Sequence, residues 1–170
     1  MRVLVINTNM RLPLQFIREG FICAEIGVWK GDFSRSILSR LRNLSNYRHV
    51  YPENSTPGEL HLIDPWFSGY IDTSPKSVGK KRKFDIDQSE IDQVYKSVCN
   101  KFASAQEVTI HRKRSTEAEF PKEYFDWIYI DGDHSYDGCK KDLMVAKDKI
   151  KEFGTIICND FIYFSPNDFQ

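Results

Sequence analysis

Short apolar runs rich in β-branched residues alternate along this chain with longer stretches whose apolar positions recur at helical spacing. Phe21 to Ile26 forms the first clear run and predicts a strand. After Gly31, the residues Phe33, Ile37, Leu38 and Leu41 fall on one helical face. Leu60 to Ile63 predicts a second strand, ending at Asp64-Pro65. A helix is predicted over 89–102, since Ile91, Val94, Tyr95, Val98 and Phe102 share a stripe. Val108 to Ile110 predicts a third strand. Trp127 to Ile130 predicts a fourth, continuously apolar, as a strand buried on both faces should be. Another helix begins near Tyr136, with Cys139, Leu143, Ala146 and Ile150 inward, and Gly154 is expected to stop it. Thr155 to Cys158 completes the series as a fifth strand. The polar stretches Asn43–Gly58 and Phe67–Asp85, with their prolines and glycines, read as loops. Leu12 to Arg18 reads as a short leading helix, and Met1 to Thr8 fits no element despite the run Val3–Ile6. Such alternation predicts βαβ units around a parallel sheet, an α/β fold. Residues 1–20 read as a lead-in segment and 21–170 as a single domain.

Ligands of open parallel sheets bind beyond the carboxyl ends of the strands. Carboxylates gather there. The first strand runs into Glu25-Ile26-Gly27-Val28-Trp29-Lys30-Gly31, the second ends at Asp64, the fourth at Asp131 and the fifth at Asp160. A lone Asp at a strand end is most simply a turn or cap residue. Four on one rim point to a ligand. Gly27 and Gly31 allow a tight turn and a close backbone approach, and an acid after the second strand can accept ribose hydroxyls. A dinucleotide fold would use the same parts. However, Trp29 stands where the middle glycine of that fingerprint belongs, and Asp64 lies beyond its usual spacing of roughly 20 residues.

These motifs resemble, in the expected order, those of class I S-adenosylmethionine-dependent methyltransferases. Glu25 to Gly31 is similar to the E-x-G-x-x-x-G form of catechol O-methyltransferase-like enzymes, and Leu60 to Trp66 resembles the second motif. Phe125 to Tyr136, with its D-W-I-Y-I-D-G-D-H-S-Y core, is similar to a signature of the family that includes macrolide and sugar O-methyltransferases. Gly154 to Asp160 resembles the fifth-strand motif. The resemblance covers about residues 21–161, loops excepted. It implies a three-layer Rossmann-like sheet and S-adenosylmethionine as cofactor. Gly27 and Gly31, with Glu25, Val28 and Trp29 beside them, would line the methionine part. Asp64 would hold the ribose and Ser115 would approach the adenine, although Arg112-Lys113-Arg114 departs from the glycine usual there. Asp131 would be both a cofactor-binding and a catalytic residue. In metal-dependent relatives the acids ending strands four and five hold Mg²⁺; here these are Asp131 and Asp160, with Asn159 as a third candidate, although Phe161 replaces the usual Asn. His134 falls where some relatives place a catalytic lysine. It is a candidate base, with capping the following helix or bonding Asp133 as the structural alternative. The usual fold adds two further strands after the fifth, so this sheet is expected to lack them, through a minimal domain, a fragment or an edge covered by a partner.

Composition adds boundaries. The 170 residues are 41% hydrophobic and 28% charged, ordinary for one globular domain. Lys+Arg and Asp+Glu are 24 each, which argues against nucleic acid as a partner and gives no pull toward an anionic membrane. The five basic residues between Lys76 and Lys83 read as a solvated loop, with phosphate contact as the functional alternative. Cys23, Cys99, Cys139 and Cys158 form no CxxC pair and read as reduced thiols. No signal-peptide layout and no bilayer-spanning run is present, so a cytoplasmic protein is expected. A homo-oligomer stays open. His49, His61 and His111 read as incidental, and Trp29, Trp66 and Phe67 read as core rather than pocket. The leading expectation is O-methylation of a small molecule such as a sugar or secondary metabolite. Its alternatives are a methyltransferase acting on RNA or protein, and a non-catalytic nucleotide- or cofactor-binding module.

Overall fold

The computed structural model describes residues 1–6, 11–45, 58–68 and 87–159. Its strands are β1 (Arg2–Ile6), β2 (Ile22–Ile26), β3 (Glu59–Ile63), β4 (Val108–His111), β5 (Phe125–Ile130) and β6 (Ile150–Asn159); its helices are α1 (Arg11–Leu14), α2 (Asp32–Ser45), α3 (Gln88–Phe102) and α4 (Tyr136–Lys149). A single turn of 3-10 helix covers Ser115–Glu117.

The six strands form one sheet in the order β1-β6-β5-β2-β3-β4, and every neighbouring pair is parallel. From β2 the chain first moves outward through β3 and β4, then returns to β5 and moves the other way. The strand order therefore reverses between β2 and β5, the place where such sheets open a binding crevice.

Side-chain alternation divides the interior into two layers. Cys23, Leu60, Leu62, Trp127 and Tyr129 pack with Phe33, Ile37, Leu41, Ile91, Val98 and Phe102, so α2 and α3 lie on one face. Ala24, Ile63, Ile128 and Ile130 pack with Ala118, Ala146 and Ile150 on the other, under α4. Strands buried on both faces explain the continuous apolar runs. Burying a side chain such as Ile37 or Leu60, both fully enclosed, contributes roughly 1.5–3 kcal/mol. Helix starts are set locally. Ser135 caps α4 by accepting the Gly138 N–H at 3.1 Å, and Asp87 caps α3 through the Ser89 N–H.

Several boundaries differ from those the sequence suggests. The segment at the amino end is an edge strand: β1 runs parallel to β6, with Arg2 opposite Thr155 and Val3 opposite Ile156. It fills the position beside β6 that the resemblance left uncovered. The leading helix is one turn, Arg11–Leu14, and α2 continues to Ser45. Gly154 does not stop α4, which ends at Lys149; Gly154 lies inside β6. Its missing side chain is needed there, because a Cβ would sit 2.6 Å from Ile150 and 3.0 Å from the carbonyl oxygen of Asp126. Most of the two predicted loops, including Lys76–Lys83, lies outside the described residues. Among the described residues, no helix is long and apolar enough to cross a membrane, and all four cysteines are free.

Candidate active site

The crevice is built where β2 and β5 end side by side, with Ile26 paired to Ile130. The chain leaves β2 through Gly27, whose φ of +86° belongs to the left-handed region. Two backbone bonds fix this exit: Gly27 N–H to the Ile63 carbonyl at 2.9 Å, and Asp131 N–H to the Ile26 carbonyl at 2.8 Å. A Cβ at position 27 would lie 2.3 Å from the Asp131 carbonyl oxygen, so only glycine fits. The loop closes when the Gly31 N–H reaches the Val28 carbonyl at 2.9 Å, and α2 follows.

Asp64, at the end of β3, holds this loop. Its Oδ2 accepts the N–H groups of Val28 (2.9 Å) and Trp29 (3.0 Å), and its Oδ1 accepts that of Trp66 (2.7 Å). With four lone-pair positions on a carboxylate, these contacts leave one position on Oδ1. The indole N–H of Trp66 donates to the Trp29 carbonyl at 2.9 Å. Both tryptophans have positive φ, 52° at Trp29 and 42° at Trp66, uncommon for bulky residues. Trp66 is core, buried against Tyr95, and its carbonyl accepts from Gln88 and Arg112. Trp29 and Phe67 are not core: 39% and 49% of their surface is exposed at the rim. Val28, by contrast, turns its side chain into the interior.

Glu25 lies beneath the loop, buried, and accepts the Ser34 hydroxyl. Burial pushes its carboxyl up to about 8; the Ser34 bond opposes this, and the negative charges of Asp131 and Asp64 add to it. Glu25 is therefore mostly protonated at neutral pH.

Beyond β5, Asp131 Oδ1 accepts the Asn159 side-chain amide at 3.0 Å and lies 3.8 Å from His134 Nε2. His134 is neither cap nor partner of Asp133. Ser135 caps the helix, and Asp133 Oδ1 takes the Ser135 N–H at 2.8 Å. The imidazole, 58% exposed, instead faces Asp131. Asp160 lies outside the described residues. Asn159 directs its amide N–H₂ at Asp131, and among the described residues no group of three or more His, Cys, Asp or Glu could hold a metal ion. The expectation of Mg²⁺ thus finds no support.

Two arrangements were not anticipated. Ser115 is buried, and its hydroxyl donates to Asp142 on α4, itself buried with its carboxyl pushed up by desolvation. An acid at helical spacing from Cys139 and Ala146, on the stripe that faces inward, was the available signal. On the same face of the sheet, His61 Nδ1 and His111 Nε2 lie 3.0 Å apart among Phe120, Tyr124 and Phe125. Burial lowers the pKa of both rings.

A family model described as "Methyltransferase domain" matches residues 24–161. No curated protein matches the chain. Among solved structures, a "possible exported protein" from Bordetella parapertussis shares the fold with a TM-score of 0.52 and 12% identity, over 88% of this chain and 39% of its own. A "putative methyltransferase" from Thermoplasma acidophilum gives 0.47 and 13%, over 89% of this chain and 53% of its own. A "putative sarcosine dimethylglycine methyltransferase" from Galdieria sulphuraria gives 0.48 and 14%, over 85% and 41%. The chain spans 39% to 53% of the length of these three proteins.

Proposed function

The chain belongs to the methyltransferase-domain family, and from that premise we propose that it transfers a methyl group from S-adenosylmethionine to a hydroxyl of a small molecule such as a sugar or secondary metabolite. One observation carries this reading. The left-handed loop Gly27–Gly31, pinned by Asp64, closes directly on the strand end that presents Asp131 and His134.

The residues fit the cofactor by their chemistry. The remaining acceptor position on Asp64 Oδ1 suits one ribose hydroxyl, while Oδ2 keeps the loop in place. The rim carboxylate Asp131 suits a ligand with cationic sulfonium and ammonium groups. Exposed Trp29 and Phe67 offer apolar surface to exclude water, and a cation is also favoured over an aromatic face. When bound, S-adenosylmethionine supplies a methyl group already activated on sulfur.

The chain's own task is to orient the acceptor and take its proton. His134 Nε2 lies 3.8 Å from Asp131 Oδ1, which leaves Nδ1 as the ring nitrogen that does not face this carboxylate. His134 Nδ1 removes the hydroxyl proton as the methyl group transfers. Asp131 stabilises the resulting imidazolium, and Asn159 holds the carboxylate in orientation. Methyl transfer to a panel of hydroxylated small molecules tests the reading. His134→Ala should lower kcat by about 10²–10⁴-fold while leaving S-adenosylhomocysteine affinity intact. Cofactor binding without turnover on any acceptor would favour the non-catalytic module, and turnover on RNA or protein alone would overturn the acceptor class.

A further inference from the structure

A single buried side chain joins the two loops that would border cofactor and acceptor. Asp142 projects inward from α4 and is only 8% exposed. Its carboxylate accepts the hydroxyl of Ser115, the first residue of the turn after β4. The backbone of Asp133, in the loop after β5, lies near enough to this carboxyl to favour its charged form. Between these contacts lies Gly132, where a Cβ would come within 2.8 Å of Asp142 Oδ2 and 3.7 Å of Ile26. The loop is thus pressed against the carboxylate on one side and against the end of β2 on the other. Its outer half is fixed separately. Asp133 Oδ1 takes the Ser135 N–H, and a Cβ at Gly138 would strike the Asp133 carboxylate at 2.2 Å.

β4 and β5 are not neighbours in the sheet; β3 and β2 lie between them. No ladder can therefore couple the loops that follow them, and Asp142 bridges that gap. Burying a carboxylate is costly unless its oxygens are hydrogen-bonded; the Ser115 hydroxyl supplies such a bond, and the loop at Gly132 packs directly on the other oxygen. A leucine at this position would satisfy the apolar stripe of α4 without them.

Building on the methyltransferase reading above, we propose that Asp142 is a positioning residue: its carboxylate locks the Asp131–His134 loop to the Ser115 turn, so that the acceptor and adenine sides of the crevice keep one fixed spacing. It touches neither substrate nor cofactor and acts through Asp133, Gly132 and Ser115. Ser115 in this account contributes by anchoring its turn, not by presenting its hydroxyl to the adenine.

The test compares Asp142→Ala, Asp142→Asn and Ser115→Ala in the full chain, each first shown to be folded by thermal unfolding. Amide exchange is read at Asp133, S-adenosylhomocysteine affinity by titration, and kcat and KM on an acceptor identified as above. Asp142→Ala should speed exchange at Asp133 at least about tenfold, with β5 amides unchanged. It should also weaken S-adenosylhomocysteine and lower kcat by up to about a hundredfold, the penalty for a misplaced reacting group. Asp142→Asn, which keeps the shape of the side chain against Gly132 and can still meet Ser115, should restore most of both. Ser115→Ala should raise KM for the cofactor more than it lowers kcat. Unchanged affinity, kcat and Asp133 exchange in folded Asp142→Ala would overturn the inference, as would Asp142→Asn behaving no better than Asp142→Ala. If wild type itself binds no S-adenosylhomocysteine, the methyltransferase reading fails instead, and the exchange result at Asp133 still decides whether the lock exists.

Discussion

Residue 27 and the Asp131 carbonyl stand so close that any side chain at position 27 would lie 2.3 Å from that oxygen. This contact seals β2 to β5 at the floor of the crevice, and it makes the two glycines of the loop unequal. Gly27→Ala meets backbone and a left-handed φ together, so it should destabilise the fold by on the order of 3 kcal/mol or more. Gly31→Ala has a φ of +70° but meets only the edge of the Phe102 ring, at 3.0 Å. Its cost should be nearer to about 1–2 kcal/mol, the usual penalty for left-handed backbone. Urea unfolding midpoints of the two variants measure the difference.

The tryptophans divide in the same way. Trp66 is buried against Tyr95 and Trp29 is exposed, though both hold positive φ. Trp66→Gly relieves strain but opens a cavity, and should lower stability by on the order of 3 kcal/mol. Trp29→Gly gives up less burial than Trp66→Gly, because 39% of Trp29 is exposed, and gains back about 1 kcal/mol of strain. It should leave the melting temperature within a few degrees of wild type while weakening S-adenosylhomocysteine. Differential scanning calorimetry, with and without that ligand, separates the two effects.

Glu25 gives the fold a pH dependence of definite sign. Its carboxyl is raised from 4.5 to about 8 by burial, so between these values the folded state holds a proton that the unfolded state has released. The stability it contributes is fully present below about pH 4.5 and is lost as pH rises toward 8, with a slope approaching about 1.4 kcal/mol per pH unit. Glu25→Gln should flatten this slope. Denaturant unfolding at several pH values across that window checks it, and a wild type whose slope matches that of the variant would contradict the assignment.

The strands buried on both faces were legible because Trp127–Ile130 is apolar at every position and Leu60–Ile63 at every position but His61, whichever way each side chain points. The edge strand β1 was not. Its partner β6 is distant in sequence, and no helical stretch links Val3–Ile6 to a neighbouring strand in the βαβ pattern. Gly154 was misleading because glycine after an amphipathic stretch is the usual sign of a helix end. Here the glycine instead lets β5 and Ile150 approach. Within the site, Gly27, Gly31, Asp64 and Asp131 were legible from their places at strand ends. How Asp64 distributes its bonds was not, because this depends on the left-handed backbone of Trp29 and Trp66, to which local propensity runs counter. Asp142 was hidden for a related reason: an acid on a helix is ordinarily solvated, and only the paths of two distant loops place it inside.

The central claim is that the loop held by Asp64 is the S-adenosylmethionine site, and titration calorimetry of S-adenosylhomocysteine into wild type and Asp64→Ala tests it most directly. The account predicts micromolar binding by wild type and a loss of at least about tenfold in folded Asp64→Ala, whose freed Val28 and Trp29 N–H groups no longer fix the loop. Folded wild type that takes up no S-adenosylhomocysteine, or an Asp64→Ala variant that binds it as tightly as wild type, would contradict it.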